Sequence, residues 1–131
     1  MRVFLDTNVI ASAIATRGLC ADVFRFTTEF HELVISAHLL NELERTLRVK
    51  FKAPPDLIAD TLWLLRQGTL LAVSEPLYAL ALKDRGDVAI VSAALHGGAA
   101  LLITGDKELL GLRKVDTLEI LSPRQFWERP K

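Results

Sequence analysis

The sequence predicts an α/β fold, a three-layer α/β/α sandwich with a mostly parallel central sheet. Short apolar runs alternate along the chain with longer segments of helical periodicity, the pattern of strand–helix–strand units. Residues 88–95 are apolar nearly all round, as expected of a helix buried against a sheet. No linker rich in Pro, Gly or Ser divides the 131 residues, so we expect a single domain over residues 1–131.

Five short apolar runs are the predicted strands of this sheet. Each run is only three or four residues long, and polar residues or glycines bound most of them. The predicted strands cover residues 2–5, 33–35, 70–73, 100–103 and 118–121.

The predicted helices lie between these strands and are marked by their apolar spacing and their caps. After the second strand, Ser36 is placed to cap a helix whose apolar residues recur every three or four positions as far as Phe51. At the end of the chain, Ser122, Pro123 and Gln125 form a capping-box pattern. The helices are predicted over about residues 7–15, 20–29, 37–51, 55–65 and 88–95, with the last one starting at 123.

Composition favours a protein of the cytoplasm. The 16 basic and 16 acidic residues balance, and the single Cys20 suits a reducing compartment. Residues 88–105 form an 18-residue stretch without a formal charge, close to the length of a membrane span. The pair Gly97-Gly98 interrupts that stretch, so a buried helix, a turn and a buried strand explain it better. We therefore expect no membrane association.

Acidic residues follow or start the predicted elements at one edge of the sheet. Asp6 ends the first strand, Asp106 follows the fourth, and Asp84 and Asp87 start the buried helix. Glu42 lies in the first turns of the helix after the second strand. Parallel strands bring their carboxyl ends to one edge, where open α/β sheets bind ligands.

Two interpretations of these acids remain open at this point. Carboxylates that are brought together without Lys or Arg repel one another and favour a cation, and all-oxygen ligation suits Mg²⁺ or Mn²⁺. Each acid taken alone is better explained as a helix cap or as a first-turn acid stabilised by the helix dipole. Capping does not explain the small polar neighbours of Asp6 and Asp106, which are suited to orienting a carboxylate.

Four segments together resemble the PIN-domain family, and in particular its ribonuclease toxin branch from bacterial toxin–antitoxin pairs. They are VFLDTNV, LLNELERTL, DRGDVAIVSAAL and LLITGDKELL, in the family's order and spacing over about residues 2–126. The resemblance implies a metal-dependent endoribonuclease that hydrolyses phosphodiester bonds in single-stranded RNA with Mg²⁺ or Mn²⁺. It also implies a cognate antitoxin as partner and is compatible with a homodimer.

The resemblance assigns roles to individual residues. Asp6, Glu42, Asp87 and Asp106 match the four acids of the family's catalytic pocket, with Asp6, Asp87 and Asp106 as metal ligands. The supporting polar positions are Asn8, Thr104 and Asp84, and the last of these fits a plain cap equally well. Many relatives are more acidic around Asp84, where this chain has Arg85 and Gly86.

Cations near these acids are candidates for holding the RNA backbone. Residues 45–52 contain four basic residues and no acid: Arg45, Arg48, Lys50 and Lys52. The residues predicted to bind RNA are Arg45, Arg48, Arg85 and Lys107. Basic residues near a helix carboxyl terminus are equally explained by the helix dipole. An alternative to the enzyme is a catalytically inactive PIN-like module that binds RNA or protein, but such a module is expected to lack one of the acids. Phospho-acceptor and haloacid-type phosphatase folds fit poorly, since Asp6 has no acidic neighbour.

Overall fold

A computed structural model describes residues 1–130. At its centre lies a six-stranded sheet with the strand order β3-β2-β1-β4-β6-β5. Every neighbouring pair is parallel except β5 with β6. The strands are β1 (Arg2–Leu5), β2 (Glu32–Ser36), β3 (Leu70–Ala72), β4 (Leu101–Ile103), β5 (Lys114–Val115) and β6 (Leu118–Leu121).

The connections between strands are mostly helical, and most helices begin where the sequence predicts. One short π-helical segment, Thr46–Lys50, continues directly from the third helix. The helices are α1 (Thr7–Ala15), α2 (Leu19–Phe30), α3 (Ala37–Arg45), α4 (Pro55–Gly68), α5 (Arg85–His96), α6 (Lys107–Leu112) and α7 (Pro123–Trp127).

The predicted fold class is confirmed, with local differences. All five predicted strands are present, and β5 is an additional two-residue strand that pairs with β6 through a turn at Asp116, whose φ is 52°. The helix predicted to run regularly to Phe51 leaves α-helical hydrogen bonding at Arg45. Within residues 1–130, no helix is both long and apolar enough to cross a membrane.

The core lies between the sheet and its helices. Val3, Phe4 and Leu5 of β1 are completely buried, as is Leu102 of β4 beside them. These strands are buried on both faces, which is why they form continuous apolar runs in the sequence rather than alternating ones. Burial at this density makes the central strands a rigid support for the side chains that follow them.

Strand register brings the carboxyl ends of β1 and β4 to the same level of the sheet. Leu5 is paired with Ile103, and the backbone N–H of Asp6 donates to the carbonyl of Ile103 at 2.9 Å. The next residue of each strand, Asp6 and Thr104, therefore leaves the sheet side by side. This edge of the sheet carries the predicted acids.

Candidate active site

A chain of hydrogen bonds joins the ends of β1 and β4. The hydroxyl of Thr104 donates to Asp6 Oδ2 at 2.6 Å, and the backbone N–H of Asp106 donates to the same hydroxyl at 3.0 Å. Thr104 is completely buried, so its side chain is fixed by packing as well as by these bonds. Thr104 therefore orients the Asp6 carboxylate and ties it to Asp106.

Asp6 is the most deeply placed of the acids. Its side chain is 8% exposed, and its Oδ1 accepts from the backbone N–H of Thr7 at 2.7 Å, at the start of α1. Burial raises the pKa of Asp6, and the charges of Glu42 and Asp106 raise it further. The hydrogen bonds from Thr104 and Thr7 oppose this rise in pKa, since they favour the charged form.

Glu42 reaches the same region from α3. The Thr7 hydroxyl donates to Glu42 Oε1 at 3.1 Å, which links this acid to the residue directly after Asp6. On its other side, Glu42 Oε2 lies 3.5 Å from Nε2 of His38. That nitrogen is buried and makes no hydrogen bond among the described residues. His38 and Glu42 are four residues apart on α3, the spacing that brings two side chains together on one helix face.

Gly86 marks where α5 approaches α3. A Cβ on Gly86 would lie 2.9 Å from Asp84 Oδ1, 3.3 Å from Glu42 Oε2 and 3.4 Å from His38 Nε2. Any side chain here would push at least one of these polar atoms aside. The absence of a side chain at Gly86 therefore allows α5 to approach α3 closely.

Asp84 and Asp87 behave differently although both start α5. Asp84 is exposed, and its Oδ1 caps the helix by accepting from the N–H groups of Gly86 at 2.6 Å and Asp87 at 3.3 Å. The capping role of Asp84 is thus seen directly, whereas an auxiliary role in the pocket remains a prediction. Burial raises the pKa of Asp87 to about 7, with further contributions from nearby acids. In order of size those acids are Asp106, Asp84, Asp6 and Glu108.

Asp106 caps α6 and lies near Asp6 and Asp87, because its charge raises the pKa of both. We call the region of these three acids and Glu42 the acidic pocket. Asp106 Oδ1 accepts from the N–H groups of Glu108 at 2.8 Å and Leu109 at 3.2 Å. Glu108 is a further acid that the sequence analysis did not single out. Its charge contributes to the raised pKa of Asp87, and its position two residues after Asp106 in TGDKELL was the available signal.

The candidate cations fall into separate places. Arg45 lines a groove beside Glu42, whereas Arg48 forms an ion pair with Glu44 at 2.9 Å. Arg85 and Lys107 are the exposed first residues of α5 and α6. The predicted supporting residue Asn8 is exposed, and its Oδ1 accepts from Lys50 Nζ at 3.5 Å, a cation of the basic segment 45–52.

The donor atoms at this edge of the sheet are those that bind hard divalent cations. The oxygen donors are carboxylates whose charges raise the pKa of Asp6 and Asp87, and no Lys or Arg of residues 1–130 forms an ion pair with Asp6, Asp87 or Asp106. Over the same residues, no three acids, histidines or cysteines are drawn together closely enough to enclose an ion. The donor set is made of carboxylate oxygens, the ligands that Mg²⁺ and Mn²⁺ prefer, but the described side chains do not converge on one point.

The sequence of this chain matches one family of known proteins. A family model described as a PIN domain matches residues 2–108, a range that includes all four predicted catalytic acids. No curated protein matches the chain in sequence.

Two solved structures share the fold. VapBC2 from Rickettsia felis, bound to a DNA fragment from their promoter, is similar with a TM-score of 0.64 and 15% identity, over 93% of this chain and 98% of that one. VapBC-1 from nontypeable Haemophilus influenzae is similar with a TM-score of 0.61 and 18% identity, over 95% of this chain and 99% of that one.

Proposed function

The chain belongs to the PIN domain family, and on that premise we propose that it is a metal-dependent endoribonuclease that hydrolyses phosphodiester bonds in single-stranded RNA. One observation carries the proposal: acids from separate segments lie near Asp6 and Asp87, whose pKa is raised by burial and by these neighbouring charges, and no Lys or Arg of residues 1–130 pairs with Asp6, Asp87 or Asp106. Such repulsion destabilises the fold, and a bound divalent cation would relieve it.

Asp6, Asp87 and Asp106 are the residues that would hold Mg²⁺ or Mn²⁺, with Glu42 as a direct or water-mediated ligand. A divalent cation in such a site supplies an activated water and neutralises charge on the scissile phosphate. Thr104 holds the Asp6 carboxylate in one orientation, and Thr7 does the same for Glu42. Asp84 keeps the start of α5, and with it Asp87, in place.

A toxin role with an antitoxin partner is the finer part of the proposal. It is supported by the likeness of the four acidic segments to the toxin branch and by the shared fold with two VapBC structures. Trp63 and Leu64 of α4 are 61% and 62% exposed, and large apolar side chains on a surface are typical of partner contacts. A short open reading frame next to the gene, whose product copurifies with this chain and blocks cleavage, is expected.

We propose that residues 1–131 act as one domain, that homodimers are compatible with its function, and that it works in the cytoplasm. The free Cys20 suits a reducing compartment. Size-exclusion chromatography with light scattering measures the assembly state directly.

Cleavage of a labelled single-stranded RNA tests the activity. Wild type is expected to cut with Mg²⁺ or Mn²⁺, to stop in EDTA, and to lose at least about 100-fold in rate on Asp6→Asn. Asp22→Asn, which changes an acid of α2 paired with Arg25, is the matched control and is expected to cut normally. Folded wild-type protein that binds RNA without cutting it under any of these conditions supports the inactive-module alternative instead.

A further inference from the structure

We propose that Lys50 and Arg45 form a phosphate-binding subsite that holds the RNA backbone beside the acidic pocket, with Lys50 as its principal contact. The proposal rests on the nuclease function above and adds a specific place for the strand. It also separates two cations, Lys50 and Arg48, that the sequence alone cannot rank.

A groove of about 420 Å³ lies beside Glu42, and of the four predicted catalytic acids Glu42 alone lines it. Its volume falls in the range of ligand-binding clefts. Glu42 belongs both to this groove and to the acidic pocket, so an RNA strand that passes through one would continue into the other. The groove is lined by Asn8, Glu42, Arg45, Thr46, Val49 and Lys50.

The π-helical segment Thr46–Lys50 directs Lys50 into this groove. Its hydrogen bonds include the N–H of Phe51 donating to the carbonyl of Thr46 at 3.2 Å, a five-residue step. In a regular α-helix Lys50, eight residues after Glu42, would stand about 2.2 turns on, rotated by roughly 80° from the direction of Glu42. Wider π turns advance each residue by a smaller angle, which returns Lys50 toward the Glu42 face. Such local widening is frequent at functional sites.

The contacts of Lys50 leave its charge uncompensated. Its Nζ lies 3.5 Å from Asn8 Oδ1 and 5.5 Å from the centre of the Phe51 ring, and both contacts are with neutral groups. Asn8 is two residues after Asp6, so the amide holds the ammonium group close to the pocket. No acid in the described part of the chain forms an ion pair with Lys50 or Arg45.

Arg48 lies on the same segment and differs in this respect. Its guanidinium donates to both carboxylate oxygens of Glu44, at 2.9 and 3.5 Å. Glu44 therefore neutralises Arg48 outside the groove. A phosphate that follows or precedes the scissile one meets net positive charge at Lys50 and Arg45, whereas it would have to break an existing ion pair at Arg48.

Cleavage kinetics with three single-charge variants test this subsite. Lys50→Gln is expected to raise KM roughly 3- to 10-fold with little change in kcat, as loss of one charged phosphate contact should do. The dependence of log KM on log salt is expected to weaken by about 0.7 on that change. Arg48→Gln is expected to have a smaller effect, and Lys114→Gln, on the edge strand β5, is the matched control.

Backbone-modified RNA then locates the contact. Substrates with one neutral methylphosphonate, moved stepwise along the strand, are expected to abolish the difference between wild type and Lys50→Gln at a single position near the cut. If wild type cuts RNA but Lys50→Gln matches Lys114→Gln in KM and salt dependence, the subsite is refuted while the nuclease proposal stands. If wild type neither cuts nor binds RNA, both proposals fail together.

Discussion

The two ends of the sheet differ in whether their charged side chains are paired with opposite charges. At the amino end, Arg2 Nε pairs with Glu32 at 2.8 Å, and Arg2 Nη1 donates to the carbonyl of Gly97 at 3.1 Å. Packed aromatic rings of Phe26 and Phe126 lie nearby, with centroids 6.1 Å apart. At the carboxyl end, burial and several carboxylates that face one another raise the pKa of Asp87 to about 7.

This difference separates stability from function within one sheet. Paired charges and packed rings stabilise the amino end, whereas unpaired acids at the carboxyl end destabilise the folded state. Sites that hold a ligand commonly sacrifice stability in this way. Substitutions at the carboxyl end should therefore lower activity, and substitutions at the amino end should lower stability.

Removing the charge of Asp106 should have the largest effect on activity. Asp106→Asn keeps an oxygen able to cap α6 but removes a negative charge that faces Asp87. Cleavage of single-stranded RNA is expected to fall at least about 100-fold, with no loss of thermal stability. Asp116→Asn, in the turn between β5 and β6, is the control. Equal activity in the two variants would show that Asp106 does not take part in cleavage.

Removing the Thr104 hydroxyl should affect both properties. Thr104→Val retains the shape of the side chain but leaves Asp6 Oδ2 and the N–H of Asp106 without their shared partner. We expect a 10- to 100-fold loss of activity and roughly 1–2 kcal/mol lower free energy of unfolding. Thr104→Ser restores the hydroxyl and is expected to recover most of the activity. Failure of the serine variant to do so would point to packing as the cause.

Breaking the ion pair at the amino end should affect stability alone. Arg2→Met removes the contacts with Glu32 and with the carbonyl of Gly97. The expected cost is about 1 kcal/mol in urea unfolding, since the pair is partly exposed and screened by salt. RNA cleavage per folded molecule is expected to stay unchanged. A large loss of activity would show that the two ends are coupled.

The pH dependence of stability should reveal the acids directly. Because the pKa of Asp87 is about 7 in the folded state, above the ordinary aspartate value of 3.8, the fold holds a proton more tightly than the unfolded chain does. Its stability contribution is therefore present below pH 4 and is lost as pH rises toward 7. The raised pKa of Asp6 acts in the same direction.

Melting temperatures in EDTA measure this effect. Wild type is expected to melt lower at pH 8 than at pH 5.5, and Asp87→Asn to melt roughly 2–5 °C above wild type at pH 8. Asp60→Asn, an exposed acid of α4, serves as the comparison. Addition of Mn²⁺ should raise the melting temperature of wild type more than that of Asp87→Asn. Identical pH profiles for wild type and Asp87→Asn would contradict the raised pKa.

Much of the fold follows from local sequence signals. The predicted helix over residues 7–15 matches α1 because a polar cap precedes an apolar run, and the capping box at Ser122 is present as predicted. The strand β5 has two residues and no pattern of its own, so only its pairing with β6 defines it. The π-helical segment was not predicted because the positions of Leu47 and Phe51 are compatible with both an α-helix and a π-helix.

The acids at the strand ends and the supporting Thr104 could be placed together from sequence, but the partners of Glu42 could not. Parallel strands bring Asp6 and Asp106 to one edge whatever the details of packing. The contact of His38 with Glu42, in contrast, depends on how α5 approaches α3 at Gly86. Whether Arg48 or Lys50 faces the groove depends on the π-helical hydrogen bonding of Thr46–Lys50. The spacing of apolar residues in the sequence does not reveal that hydrogen bonding.

Calorimetric titration with Mn²⁺ at pH 7.5 tests most directly whether the acids form one cation site. Wild type is expected to show saturable binding, and Asp6→Asn and Asp87→Asn to bind at least about 10-fold more weakly. Glu29→Gln, which changes an exposed acid of α2, should bind as wild type does. Absence of saturable binding in wild type, or equal affinity in all four proteins, would contradict a metal site at the carboxyl end of the sheet.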